Sequence, residues 1–246
     1  MTSNDTTPGT QASTAATSGA GRAVPDAGGS TRALLAGGVL AGPLFVGVAL
    51  AQALTRAGFD LRRHPISLLS LGDLGWIQIA NFVVAGVLVL ASAVGMRRVL
   101  RPGRGRTWGP LLVGLFGVGL VVGGVFVTDP GLGFPAGAPA GIPTERSWHA
   151  RVHDLAPGLA LDAMIVACIV LARRFAGLGH RAWAAAGVAT GLAILVLSWW
   201  PSLDGISVRL FVAVTLAFAW TSAVSARLIR ESATVRAPAS GRRDRS

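Results

Sequence analysis

The chain has 246 residues, of which 52% are hydrophobic and only 13% charged, against roughly 25% charge in an ordinary soluble domain. That composition excludes a water-soluble single-core protein, and 33 glycines with a mean hydropathy of +0.58 suit helices that pack closely in lipid. The net charge of +11 comes from 22 arginines without a lysine. In a membrane chain such an excess first reports topology, so no nucleic-acid partner is expected.

Residues 1–31 are mostly Ser, Thr, Ala, Gly and Pro, with too little apolar surface to offset the entropy of ordering, and are expected to form a disordered tail. They lack the charged start, apolar core and cleavage site of a signal peptide, so the first apolar run is expected to stay in the mature protein. A transmembrane domain is expected over 32–228 and a basic disordered tail over 229–246. Crossing about 30 Å of hydrocarbon takes about 20 apolar residues as helix. Six windows qualify: Ala33–Leu54, Trp76–Met96, Trp108–Val127, Leu155–Ala172, Ala182–Trp200 and Ile206–Ala226. Each is too long for a strand and none alternates with period two, so the fold class is an all-α polytopic bundle of six transmembrane helices.

Placing both termini in the cytoplasm puts 16 of the 22 arginines on the inner side. Only Arg56, Arg62, Arg63, Arg146, Arg151 and Arg209 fall outside, so the positive-inside rule predicts cytoplasmic termini in the plasma membrane. The lipid bilayer is the first partner, and anionic headgroups at the inner face are expected to attract the basic side. A protein partner is not specified by the sequence. Trp76, Trp108, Trp148, Trp183, Trp199 and Trp200 fall near helix ends and read as interfacial anchors. Gly38 with Gly42, Gly119 with Gly123, and Gly187 with Gly191 stand four apart, a spacing read here as internal helix packing.

The inner loops and the Pro201–Gly205 turn are short and predict antiparallel neighbours. Two outer segments, Thr55–Gly75 and Thr128–Asp154, exceed packing needs, as functional loops often do. The first mixes Phe59, Leu61, Ile66, Leu68 and Leu69 with Arg62, Arg63 and His64 and fits a short interfacial helix over the outer mouth. Arg97-Arg98 to Trp108 and Arg173-Arg174 to Trp183 share a pattern that, as a true repeat, would make helices two and three a copy of four and five. Some transporters use that arrangement.

Polar groups within spans are expensive and need a reason. Asp162 lies about 10 Å into its helix at 1.5 Å per residue, so it must face the bundle or be protonated. Gln52, Gln78, Asn81 and Ser198 occupy outer halves of their helices, and together these residues predict a polar pocket open to the outside. Asn81 and Asp162 would line it and the His64 and His149 segments would roof it. If Ser147 begins helix four, His149 and His153 share a face at a spacing from which two imidazoles can hold one divalent metal. Asp129, Asp73 or His64 would be the third ligand, and an activated water would make the site hydrolytic. The sequence fixes no cofactor; the ion that this set suits is one such as zinc. In the competing reading Asp154 caps helix four with Pro157 in its first turn, and His149 lies in a loop. Asp73 likewise reads as the N-cap of helix two, and Asp129 as a turn former before Pro130. Ser67 and Ser70 with His64 as base form a weaker serine-hydrolase pattern.

The run His64-Pro65-Ile66-Ser67-Leu68-Leu69-Ser70-Leu71-Gly72-Asp73-Leu74-Gly75-Trp76-Ile77-Gln78, then Asn81-Phe82, Thr128-Asp129-Pro130 and Ser147-Trp148-His149 strongly resembles a family of bacterial six-helix membrane proteins catalogued as domain of unknown function 998. The resemblance covers about residues 33–228. It implies a multi-pass membrane protein and carries over no catalytic residue. The functional expectation is a membrane protein binding a small molecule, lipid or partner in an extracytoplasmic pocket, with a membrane-embedded metal hydrolase or a small transporter of repeated hairpins as alternatives.

Overall fold

Lipid offers no partner to a free peptide group, so a spanning segment must satisfy its backbone internally. The computed structural model describes residues 27–100, 103 and 105–234, and it meets this demand with six helices. They are α1 (Ala27–Thr55), α2 (Gly75–Val99), α3 (Trp108–Val125), α4 (Trp148–Gly177), α5 (Arg181–Trp199) and α6 (Ile206–Thr234), with a short 3-10 helix at Ile66–Ser70. All six are long and apolar enough to cross a membrane, and among the described residues there is no strand, only a bridge between Gly131 and Phe134. Helices α1 and α6 run past the expected domain limits, to Ala27 and Thr234. The rest of both tails lies outside the described residues.

Each helix packs against its sequence neighbours, and α6 returns to α1 to close a ring. The ring's centre is aromatic: Phe45 of α1 meets Phe82 of α2 at 5.2 Å and Phe218 of α6 at 4.9 Å, while Phe116 of α3 reaches Phe218 at 5.3 Å. Such pairs contribute about 0.5–1.5 kcal/mol each beyond area burial, which counts in lipid, where helices gain little from leaving one apolar medium for another. Close backbone approach supplies the rest. A Cβ on Gly38 would collide with the hydroxyls of Ser92 and Ser225, which bond to each other at 2.9 Å across α2 and α6. A Cβ on Gly119 would strike Ala160 and come within 3.0 Å of the Ala156 carbonyl. Gly38, Gly42, Gly119, Gly187 and Gly191 thus face close internal neighbours, whereas Gly123 lines a cavity and a Cβ there would meet only His153, at 4.0 Å.

Pro43 lies inside α1, and a proline leaves the carbonyl four residues earlier, Val39 here, without its helical donor. Ser222 of α6 compensates, donating to Gly38 O at 2.9 Å and Val39 O at 3.4 Å. Pro157 sits well inside α4 rather than in its first turn and likewise releases the His153 carbonyl.

The end carrying the termini is tied by arginines. Arg97 donates to Arg106 O at 2.7 Å and Thr107 Oγ1 at 2.6 Å, and Arg98 to Ser30 Oγ at 2.9 Å. Arg227 lies over the rings of Phe175 and Trp183, 4.9 and 4.8 Å from their centroids. Trp183 therefore belongs to an aromatic stack with Phe175 and Trp220 and is not the free interfacial anchor expected of it. Trp76, Trp108, Trp148, Trp199 and Trp200 stand exposed at helix ends.

Candidate ligand-binding site

The two long segments at the far end, away from the termini, lock together. Arg56, just past α1, donates Nη1 to Leu69 O at 2.5 Å and Nη2 to Leu71 O at 2.6 Å, clamping the 3-10 helix, and its guanidinium lies 5.1 Å over the Phe134 ring. The expected interfacial helix is instead driven inward, with Leu68 and Leu69 buried. His64 Nδ1 accepts the Asp60 amide at 2.9 Å, and Nε2 faces Leu132 O at 3.1 Å. Since a carbonyl can only accept, Nε2 carries the proton and both ring nitrogens are occupied. A base role toward Ser67 or Ser70 would require breaking one of these bonds. Leu132 has φ +58°, a left-handed conformation that costs a leucine free energy; its amide bond to Gly141 O at 2.9 Å and the His64 bond hold it there. Arg63 Nη2 adds a bond to Ala140 O at 3.1 Å, and Ser207 of α6 donates to Arg63 O at 3.0 Å.

Helix α4 begins at Trp148 with Ser147 as its N-cap. Ser147 Oγ accepts the Ala150 amide at 3.2 Å and donates to Asp129 Oδ1 at 2.7 Å, while the Ser147 amide donates to Asp129 Oδ2 at 2.8 Å. Asp129 is thus the carboxylate buttress of a helix N-terminus, where the dipole favours negative charge. The Ser147 hydroxyl bond holds its carboxyl below the ordinary range against the opposing effect of burial, and the Ser147 amide, Arg146 and His149 add to the lowering. Asp154 does not cap α4; it pairs with Arg146 through Oδ1 at 2.7 Å and Oδ2 at 2.5 Å. Nor does Asp73 cap α2: Leu74 is the N-cap, no side chain caps it, and Asp73 is exposed.

His149 and His153 do share α4, as the Ser147 start requires, yet they face different partners. His149 stacks on Trp148 with centroids 3.7 Å apart. His153 is buried, with Nδ1 2.8 Å from Phe126 O and 3.0 Å from Gly123 O. Both acceptors are carbonyls, so Nδ1 is protonated. Among the described residues no group of three His, Cys, Asp or Glu side chains is arranged to hold a metal.

Of the polar residues expected to line one pocket, Gln52, Gln78 and Asn81 lie together and Asp162 lies apart, while Ser198 Oγ is buried with no partner among the described residues. Gln52 Nε2 donates to Gln78 Oε1 at 2.8 Å, and Asn81 Nδ2 donates to Phe45 O at 3.0 Å and Gln78 Oε1 at 3.3 Å, which staples α1 to α2. Gln52 Oε1, Gln78 Nε2 and Asn81 Oδ1 have no partner among the described residues. Asp162 is elsewhere, at the α4–α5 seam, accepting the Trp199 indole N–H at 2.9 Å.

What the bundle does enclose was not expected. Below the 3-10 helix lies a cavity of about 90 Å³. Its walls are apolar, formed by Phe45, Phe82, Phe116, Leu120, Phe211 and Val214 among others, with His153 and Pro157 from α4. Above it opens a cleft of about 550 Å³ bearing Arg62, Arg63, Arg146, Asp129 and Asp154. Pro65, Ser67, Ser207 and Leu210 border both spaces. Of the eight sequence candidates, His153 lines the cavity and Asp129 the cleft, and His64 braces the roof. Asp73, Gln78, Asn81, Asp162 and His149 are in neither lining. The arginines were legible as exceptions to the positive-inside rule; the cavity depends on side chains from five helices and has no local signature.

A family model described as "Protein of unknown function (DUF998)" matches residues 39–227, and the chain belongs to that family. No curated protein matches it, and no solved structure does.

Proposed function

We propose that this member of the family binds an amphiphile at the far end of the bundle, its apolar part in the cavity and its polar part in the cleft. The observation that carries this reading is that the two spaces abut, with Pro65, Ser67, Ser207 and Leu210 lining both. Convergent polar groups at the margin of an apolar pocket are the usual form of a small-molecule site. Here the polar side chains in the cavity lining are His153, Ser67 and Ser207. The arginine distribution supports plasma-membrane placement with both termini cytoplasmic, so the cleft opens outward. Arg173 and Arg181 are among the arginines at the opposite end and support attraction of anionic inner-leaflet headgroups there.

The test uses the full chain in phosphatidylcholine nanodiscs and a neutral monoacylglycerol bearing a photoreactive group at its chain end. Crosslinks are expected on residues such as Leu120, Phe211 and Val214, and Val214→Phe, which fills the cavity, should reduce labelling at least fivefold. Labelling confined to lipid-facing side chains, or unchanged in Val214→Phe, would overturn the reading.

A further inference from the structure

Resting on the amphiphile reading, the balance of charges in the cleft identifies the ligand class. Five charged side chains line it. Asp154 spends both oxygens on Arg146, so this pair is internally neutralised. Asp129 spends both oxygens on Ser147. The Arg63 guanidinium makes one bond, to the neutral Ala140 carbonyl, and the Arg62 guanidinium has no hydrogen bond or ion pair among the described residues, though its backbone amide bonds Asp60. The successive residues Arg62 and Arg63 therefore both line the cleft with no carboxylate on either guanidinium. Both sit on the side of the protein where arginine is scarce, and the other three outer arginines, Arg56, Arg151 and Arg209, do not line the cleft. A guanidinium presents a planar fork of donors matched to carboxylate and phosphate oxygens.

The cavity limits what lies beneath. An apolar cavity of about 150 Å³ accepts benzene, so about 90 Å³ accommodates one alkyl segment and not two chains side by side. His153 lines the cavity, and Ser67 and Ser207 border both spaces, a polar setting for the ester or hydroxyl groups between a head and its chain.

We infer that the site takes a single-chain amphiphile with an anionic head, a monoacylglycerol phosphate or a fatty acid, whose phosphate or carboxylate is gripped by Arg62 and Arg63. The test compares lysophosphatidate, a fatty acid and monoacylglycerol of equal chain length, and inorganic phosphate alone, as competitors of the photoreactive monoacylglycerol in neutral nanodiscs. The wild type is expected to bind the two acids at least tenfold more tightly than the neutral lipid, with the preference falling in high salt. Arg62→Gln with Arg63→Gln should cut that preference below about twofold by weakening the acids alone. Arg62→Lys with Arg63→Lys should restore part of it and controls for the lost Ala140 bond. Equal affinity for acid and neutral lipid, or a preference unchanged in the glutamine variant, would overturn the anionic assignment while leaving the amphiphile reading intact. Full competition by inorganic phosphate would overturn the role of the chain. A wild type that binds neither the acids nor the neutral lipid would instead remove the amphiphile reading itself.

Discussion

The start of α4 depends on one carboxylate held by one serine, and this can be measured. Asp129→Ala removes two bonds, from the Ser147 hydroxyl and amide. A hydrogen bond to a charged group contributes about 1.5–3 kcal/mol where buried, but solvent screening at this exposed site brings the pair down to about 1.5 kcal/mol. Ser147→Ala removes the hydroxyl bond and the cap on Ala150, a loss of about 1.5 kcal/mol on the usual N-cap scale. Because the hydroxyl–carboxylate bond is common to both, the double variant should lose about 2 kcal/mol, a coupling of about 1 kcal/mol. Unfolding of the purified chain in mixed micelles of dodecyl maltoside and increasing dodecyl sulfate, followed by circular dichroism at neutral pH, gives all four corners of the cycle. A single-variant loss under about 0.3 kcal/mol, or an additive cycle, would refute the buttress.

The same carboxylate sets a pH dependence. Its folded-state pKa lies below the ordinary 3.8, so its contribution is fully present above the unfolded value and is lost as pH falls through the folded one. Wild type should weaken relative to Asp129→Ala as pH drops below about 4, and identical acid profiles would contradict this. Gly119→Leu drives a side chain into Ala160 and the Ala156 carbonyl and should cost about 2–3 kcal/mol, visible as a lowered Tm. Ser222→Ala strips the donor from the carbonyls beside Pro43 and should cost about 0.6 kcal/mol in the same micelle titration. Cys168 is the chain's one cysteine and is buried, so Ala136→Cys and Ser246→Cys can be labelled with little background. An impermeant maleimide should reach the first in intact cells and the second only after permeabilisation; the reverse would invert the proposed orientation.

The spans were legible because each holds a long apolar run bounded by charge or turn residues, although α1 begins before Arg32 and α6 continues past Arg227 and Arg230. Helix α4 departs at its start. Its first two turns carry His149, Arg151, His153 and Asp154, so hydropathy delayed the expected start to Leu155, whereas the cap is completed by Asp129 from the preceding segment. A carboxylate before a helix reads locally as a cap, which misdirected Asp73 and Asp154; the Gly72–Gly75 turn presents Asp73 to solvent instead. Gln78 and Asn81 were rightly singled out as needing partners, but those partners are Gln52 and the Phe45 carbonyl. Asp162 meets Trp199, whose place near a helix end signals only the headgroup level. Periodicity places a residue on a helix; which neighbour its polar atom meets is decided by the turn of the adjoining helix about its own axis.

The far-end clamp also governs how the molecule can be rebuilt. His64 bonds Leu132 and Arg63 bonds Ala140, so side chains of the first long segment hold the main chain of the second. A chimera that imports one segment from a homologue without its mate would lose half of every such bond and leave Leu132 unsupported in its costly backbone geometry. Transplants should therefore carry 56–74 and 128–147 together, as one interchangeable module.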